Sequence, residues 1–215
     1  MLKLNYNLIK NSLVLQFLII FSLRILLIQI FKYLPVEGPE KSFYFQIVPT
    51  VTGLFVLFVL AVFEEFISRF FIKIKGWISI LWLFLYTYFF IISPFFFVFK
   101  INLPIINISV MAICCVSALI LHKFYSYKLN STISSTSTKI VVSVLGFALI
   151  HLSNYDVKPS QLIYMIPIIL LNHCPFAYFL AKIHLNYKHG FWIATGFHFL
   201  SNALVIVLSA LSTRL

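Results

Sequence analysis

Acidic side chains are scarce in this sequence. Asp and Glu together number 5 among 215 residues, and charged residues of both signs make up only 10%. A soluble domain of this length needs many polar side chains to cover its core. The hydrophobic share is instead 62% and the mean hydropathy is +1.04. This composition excludes an ordinary soluble domain and predicts a chain whose outer surface faces lipid.

Cysteine is also rare, and the basic residues are dispersed. Cys114, Cys115 and Cys174 all lie in apolar segments and show no C-x-x-C spacing, which argues against a disulfide framework or a zinc knuckle. The net charge of +11 comes from lysines and arginines placed singly or in pairs between apolar runs. A nucleic-acid-binding protein would gather them in a stripe or tail, so no nucleic acid partner is expected.

Seven apolar segments are long enough, or nearly so, to cross a bilayer as helices. They span residues 12–34, 44–73, 77–99, 101–122, 139–152, 161–183 and 191–211. No internal repeat or separate soluble domain is visible. The sequence therefore predicts an all-α, polytopic transmembrane helix bundle of about seven helices, between six and eight, forming one integral membrane domain over residues 1–215.

The lysines also predict an orientation. Seven crossings from a cytoplasmic amino terminus would put most of the basic residues inside, as the positive-inside rule requires. The inside set would be Lys3, Lys10, Lys73, Lys75, Lys123, Lys128, Lys139, Lys182 and Lys188. The first apolar run lacks a small-x-small cleavage site, so it reads as a retained helix and not as a signal peptide.

Two of the few acidic residues stand side by side within an apolar segment. An ionisable group at the centre of a membrane helix costs about 2.5 to 3.5 kcal/mol on insertion scales, so it needs a partner or a function. Glu65 and Arg69 are four residues apart and can pair on one helix face. Glu64 points about 100° away from Glu65. It must find its partner on another helix or in water, unless the group is a structural ion cluster.

Two histidines on other apolar segments could supply that partner. His151 follows Phe147 by one helical turn, and His198 precedes Asn202 by one turn, so the members of each pair share a face. A lone histidine in an apolar segment is more often a packed core residue. Three separate polar groups, however, could converge on one wet pocket and meet each other's burial cost. His173 is read as a packing histidine because no motif surrounds it. His122, His184 and His189 are read as interfacial residues near helix ends.

Such a pocket could hydrolyse a peptide bond. Glu64, assisted by His151, could take a proton from water as general base. His198 and the Asn202 amide could donate hydrogen bonds to the oxyanion of the scissile carbonyl. Alternatively, Glu64, His151 and His198 could hold a divalent metal such as zinc, although the H-E-x-x-H motif is absent.

Three short motifs in this order resemble one protein family. Residues 64–69 read EEFISR, residues 147–151 read FALIH, and residues 198–202 read HFLSN. They are similar to the E-E-x-x-x-R, F-x-x-x-H and H-x-x-x-N/D signatures of the CPBP family of intramembrane proteases. That family includes CAAX proteases, bacteriocin-processing enzymes and Abi proteins. The resemblance covers about residues 47–207.

The resemblance implies a CAAX-protease-like helix bundle and an intramembrane endopeptidase that acts on a membrane or membrane-associated peptide or protein. It implies that Glu64 and His151 activate water and that His198 and Asn202 form the oxyanion hole. Glu65, Arg69 and Phe147 would support that site. Family members are labelled metalloproteases but have also been argued to work without metal, so no cofactor is certain. The short chain suits a bacterial inner-membrane member better than a protease for prenylated proteins.

Two other classes remain open on sequence. A non-catalytic immunity or regulatory protein of the same family would share the pocket and show no turnover. A transporter would be expected to carry polar residues in both membrane halves and often a repeated topology, and neither is visible.

Overall fold

A computed structural model describes residues 2–31, 50–73, 77–99, 104–125, 135–154 and 158–212. Within these ranges the regular structure is entirely helical, with no strand. Helix α3 is continuous over residues 77–98 and combines three stretches, Trp77–Thr87, Tyr88–Ile92 and Ser93–Val98. The other helices are α1 (Leu2–Phe31), α2 (Val51–Lys73), α4 (Pro104–Tyr125), α5 (Thr136–Leu149), α6 (Leu162–Asn186) and α7 (Gly190–Ser212).

The predicted all-α class and the number of helices are confirmed for the described part of the chain. The ends shift by a few residues, except that α1 begins at Leu2, ten residues before the predicted start. Residues 32–34, 44–49 and 101–103 of the predicted segments lie outside the described ranges, so those segment ends are not compared. Lys139, which the sequence placed among the flanking lysines, lies in the first turns of α5 and is only 1% exposed.

Local sequence accounts for several helix boundaries. Ser135 caps α5, because its side chain accepts a hydrogen bond from the Thr138 backbone N–H. Pro159 opens a 3-10 turn that leads into α6. In α3, the stretch Tyr88–Ile92 is wound as a π-helix just before Pro94. Proline cannot donate the next backbone hydrogen bond, so a local change in helical winding at this point is expected.

Helix α6 lies at the centre of the packing, in contact with α1, α5 and α7. One buried apolar cluster joins all four helices through Phe17, Phe147, Phe176, Phe179 and Ala194. Helix α2 packs against both α5 and α7. The three predicted motifs lie on α2, at the end of α5 and on α7, so this packing brings them to one region of the interior.

Four helices of the described ranges are long and apolar enough to cross a membrane, judged by length and composition. These stretches are Val51–Lys73, Ile78–Phe95, Pro159–Asn186 and Gly190–Leu208. Large apolar side chains also point outward, among them Leu15, Phe55, Ile113, Ile163 and Trp192. Exposed apolar side chains in this number are compatible with a membrane protein.

Candidate functional site

The acidic end of the site is built on one face of α2. Oε1 of Glu65 lies 2.9 Å from Nη1 of Arg69, and both side chains are at most 1% exposed. This is the i,i+4 pair that the sequence indicated. Arg69 also donates from Nη2 to the backbone carbonyl of Ala177, 3.3 Å away on α6. The guanidinium therefore fixes Glu65 and connects α2 to the central helix.

His198, on α7, lies between the two adjacent glutamates. Its Nδ1 is 2.9 Å from Oε1 of Glu65, and its Nε2 is 3.3 Å from Oε2 of Glu64. Arg69 keeps its charge in proteins, so the Glu65 carboxylate that it pairs with accepts hydrogen bonds. Nδ1 of His198 therefore carries a proton and donates a hydrogen bond to Oε1 of Glu65. The other edge of the ring is directed at Glu64.

The two glutamates differ in the exposed fraction of their side chains. The Glu64 side chain is 26% exposed, whereas that of Glu65 is 1% exposed. Glu65 is thus a buried anion balanced by Arg69 and His198. Glu64 has its partner on another helix, as its position on α2 required, and it remains reachable from outside the protein. Of the two, only Glu64 can meet a water molecule or a substrate without rearrangement of the core.

His151 follows α5 in a 3-10 turn, Ile150–Asn154, and is half-buried. Its Nδ1 lies 2.8 Å from the backbone carbonyl of Phe147. A carbonyl oxygen can only accept, so Nδ1 of His151 carries the proton. In the neutral ring this leaves the lone pair on Nε2. His151 is therefore held in the tautomer that can accept a proton.

Phe147 lies between the two predicted histidines. Its ring centroid is 5.3 Å from that of His151 and also 5.3 Å from that of His198. The Arg69 guanidinium lies 5.1 Å from the centroid of the same phenyl ring. Phe147 therefore places the end of α5 against the charged cluster of α2 and α7. Asn202 follows His198 by one turn of α7 and is partly buried.

A third histidine, His173, lies against His151. The sequence predicted it to be a packing residue. The ring centroids of His173 and His151 are 3.8 Å apart. Nδ2 of Asn172 lies 3.3 Å from Nε2 of His173, and both residues are buried. Nδ1 of His173 and Oδ1 of Asn172 are buried without a hydrogen-bond partner. The sequence did contain a signal for this contact. Asn172 and His173 are adjacent in the middle of an apolar helix, where polar groups need partners.

Arg24 of α1 also enters this interior, and its partners could not be chosen from sequence. It is 7% exposed and donates from Nη1 to Oγ of Ser201 at 2.6 Å. Its guanidinium carbon lies 4.8 Å from the ring centroid of Phe176, which in turn contacts His198 at 6.0 Å. Arg24 is therefore buried and packs on Phe176, which also contacts His198.

Of the three histidines predicted to be interfacial, the side chains of His184 and His189 are described by the structure, and one of them differs from the prediction. His189 is exposed, as expected for an interfacial residue. His184 is instead buried, at 6% exposure, and its ring lies 6.3 Å from that of Phe191. The close approach of Gly190 to the backbone of Ile183 and His184 covers this position, because the first turn of α7 folds back onto the end of α6.

The proposed zinc ligands, Glu64, His151 and His198, are not gathered closely around one point in the structure. In the part of the chain that the structure describes, no three His, Cys, Asp or Glu side chains are grouped to hold one ion. Nδ1 of His198 is bonded to Glu65 and Nδ1 of His151 to the Phe147 carbonyl, so only the Nε2 atoms of these two rings could act as ligands. A zinc ligand must direct a nitrogen lone pair at the ion from about 2.0 to 2.1 Å.

Set against protein-family models, curated proteins and solved structures, the chain matches none of them. The resemblance of residues 64–69, 147–151 and 198–202 to the CPBP signatures therefore stays a prediction made from the three motifs.

Proposed function

We propose that the protein is an intramembrane endopeptidase of the CPBP kind, which hydrolyses a peptide bond with water activated by Glu64. The observation that carries the proposal is the position of His198, held between a buried glutamate and a reachable one. The Glu64 carboxylate contacts the His198 imidazole and is itself reachable, so it can take up and return a proton during hydrolysis. The tautomer of His151, with a free lone pair on Nε2, supports a second accepting group beside them.

The reaction would proceed through a tetrahedral intermediate. Glu64 takes a proton from water while the water oxygen bonds to the scissile carbonyl carbon. Nε2 of His151 accepts a hydrogen bond from the same water and orients it. With a proton on Nε2 as well as on Nδ1, His198 donates from Nε2, together with the Asn202 amide, to the oxygen that becomes negative. Glu64 then returns its proton to the amide nitrogen as the carbon–nitrogen bond breaks, which releases a carboxylic acid and an amine.

The contact between His198 and Glu64 sets a condition on this reaction. In the structure the Nε2 edge of His198 faces Oε2 of Glu64 at 3.3 Å, which is long for a charged hydrogen bond. A substrate carbonyl would have to approach that same edge and share the donor. Glu65 and Arg69 would keep the ring in place during this exchange. Glu65 is bonded to Nδ1 of the ring, and Arg69 holds Glu65 from the buried side.

The setting of the proposed reaction is the bilayer. The protein would be a multi-pass protein of the bacterial inner membrane with a cytoplasmic amino terminus, and its substrate a membrane or membrane-associated peptide or protein. The four long apolar helices and the outward-facing apolar side chains support a membrane location. The distribution of lysines supports the orientation.

The proposal is tested by comparing membrane-protein termini in cells that carry the wild-type chain, Glu64→Gln or Glu40→Gln. Glu40 lies outside the three motifs, so its substitution controls for the loss of one negative charge. New peptide ends are expected in the wild type and in Glu40→Gln, and they should disappear in Glu64→Gln. Identical termini in all three strains, with equal amounts of folded protein, would overturn the proposal.

One observation favours a second candidate, a non-catalytic membrane protein that binds a partner. Glu65, Arg69 and His198 balance one another within the protein at 0 to 2% exposure, as a structural ion cluster would. A binding protein would keep its cellular phenotype in Glu64→Gln, whereas the proposed peptidase would lose it. The terminus comparison therefore separates the two candidates.

A further inference from the structure

A cleft lies between α1 and α6, and none of the residues of the charged cluster lines it. Its volume is about 240 Å³, and it is lined by side chains from residues 12–20 of α1 and from the second half of α6. The cleft is amphipathic. Its polar lining includes Ser12, Gln16, Lys182 and Asn186, and its apolar lining includes Ile20 and Phe179.

The polar residues gather at one end of the cleft. Ser12 and Gln16 are one turn apart on α1, and Gln16 donates to Ser12 at 3.0 Å. Lys182 and Asn186 are one turn apart at the end of α6 and are both exposed. Ile20 lies a turn further along α1, and Phe179 lies a turn earlier on α6. The two helices run in opposite directions, so the cleft becomes more apolar from this end towards the middle of the bundle.

The same end of the molecule is basic. The end of α2 lies there with α6, because Phe71 and Ile72 share a buried apolar cluster with Ala181 and Leu185. The start of α7 lies there too, since Gly190 packs on the backbone of His184. Lys73, Lys182 and Lys188 are exposed at this end. The two glutamates within the described ranges, Glu64 and Glu65, instead contact His198, which lies further along α7.

We propose that this cleft binds an anionic phospholipid, with the headgroup phosphate at Lys182 and one acyl chain along the apolar part beside Ile20 and Phe179. A basic end on a membrane helix bundle attracts anionic lipid at about 1 kcal/mol for each lysine or arginine near the surface. Ser12, Gln16 and Asn186 add hydrogen-bonding side chains for phosphate and ester oxygens. The inference uses the proposed membrane location and is independent of peptide hydrolysis.

Lys182 is the residue on which selectivity should depend. Its Nζ lies 5.4 Å from the ring centroid of Tyr178, one turn earlier on α6, and both residues line the cleft. The cation–π contact holds the ammonium group over the cleft without neutralising its charge. A phosphate can therefore pair with it while the Tyr178 ring covers its other side.

The test is lipid binding by the full-length protein in detergent, measured by native mass spectrometry with phosphatidylglycerol and phosphatidylcholine of the same acyl chains. The wild type is expected to retain phosphatidylglycerol about tenfold more strongly. Lys182→Gln should weaken that binding about fivefold, which corresponds to about 1 kcal/mol. Lys182→Arg should preserve it. Lys158→Gln is the matched control, because Lys158 is exposed at the opposite end of α6.

Three results would overturn the proposal. Equal retention of the two lipids would show that the cleft is only an apolar groove. An equal loss in Lys182→Gln and Lys158→Gln would show a general charge effect and no site. Displacement of the bound lipid by inorganic phosphate alone would assign the polar end to a free anion. None of these results depends on whether the protein cleaves peptides, so a negative terminus comparison leaves this test intact.

Discussion

Nδ1 of His198 and Nη1 of Arg69 both lie 2.9 Å from the same oxygen, Oε1 of Glu65. One buried carboxylate oxygen thus joins α2 to α7 and turns the imidazole so that its other nitrogen faces Glu64. Glu65 acts on the site through His198, whereas Glu64 is the carboxylate that can reach water. Two adjacent residues of one type therefore have different expected phenotypes.

The first prediction separates stability from activity at these two positions. Glu65→Gln leaves Arg69 buried without its negative partner, and breaking a buried ion pair costs about 3 to 5 kcal/mol. Glu64→Gln should change the free energy of unfolding by less than about 1 kcal/mol, because Glu64 is partly exposed and its 3.3 Å contact with His198 is long. Thermal unfolding in detergent, followed by circular dichroism, measures both. The assignment of roles is wrong if Glu64→Gln is the less stable variant.

The second prediction concerns the coupling between Glu65 and Arg69. Arg69→Met alone should destabilise the protein, because Glu65 keeps a buried charge that only His198 then balances. Glu65→Gln combined with Arg69→Met removes both charges, so the double variant should lose less stability than the sum of the two single variants. A coupling of about 0.5 to 3 kcal/mol is expected from residues in contact. Strict additivity would show that the pair contributes nothing as a pair.

Local spacing predicted much of this site. The helices follow from apolar runs bounded by turn residues, and the Glu65–Arg69 pair follows from their separation of one helical turn. Burial energetics also required Glu64 to have a partner on another helix. The sequence could not decide between His151 and His198 for that role, because the choice depends on how α2, α5 and α7 pack.

The contacts that were not predicted join residues without a shared local pattern. Arg24 meets Ser201 across almost the whole length of the chain, and His173 meets His151 through the packing of α6 on the end of α5. Lys139 was read as a flanking residue because lysine favours helix ends, yet packing buries it in α5. In each case the tertiary arrangement overrides a residue's general preference.

The third prediction tests why a polar pair is buried beside His151. Asn172→Leu with His173→Phe removes all the nitrogen and oxygen atoms of both side chains and keeps an aromatic ring against His151. Two of those atoms have no hydrogen-bond partner, and each such atom costs about 1 to 3 kcal/mol. The double variant should therefore be as stable as the wild type or more stable, by thermal unfolding in detergent.

The single variant His173→Phe is the control for that experiment, because it leaves Nδ2 of Asn172 unpaired as well. It should be less stable than the double variant. A loss of stability in the double variant would mean that the pair is a structural element of the core. Retained stability together with lost terminus cleavage would instead indicate that the pair is kept for function at the expense of stability.

The last prediction concerns the glycine that precedes Phe147. A Cβ atom at Gly146 would fall inside contact distance of Cε1 of Tyr86 and 2.9 Å from Cζ. The Tyr86 ring cannot move aside, since it is 2% exposed, stacks on Phe90 at 4.4 Å and donates to the Ser143 carbonyl at 3.0 Å. Gly146→Ala should destabilise the protein by about 1 to 3 kcal/mol through overpacking.

Gly196→Ala is the matched control for this substitution, because a Cβ atom there meets nothing within 4 Å. That variant should be neutral or more stable by up to about 1 kcal/mol, as alanine favours the helix over glycine. Thermal unfolding of both variants gives the comparison. If Gly146→Ala behaves like Gly196→Ala, then α5 can move away from α3. Phe147, which contacts both histidines from the next position, would then be less firmly held than the structure indicates.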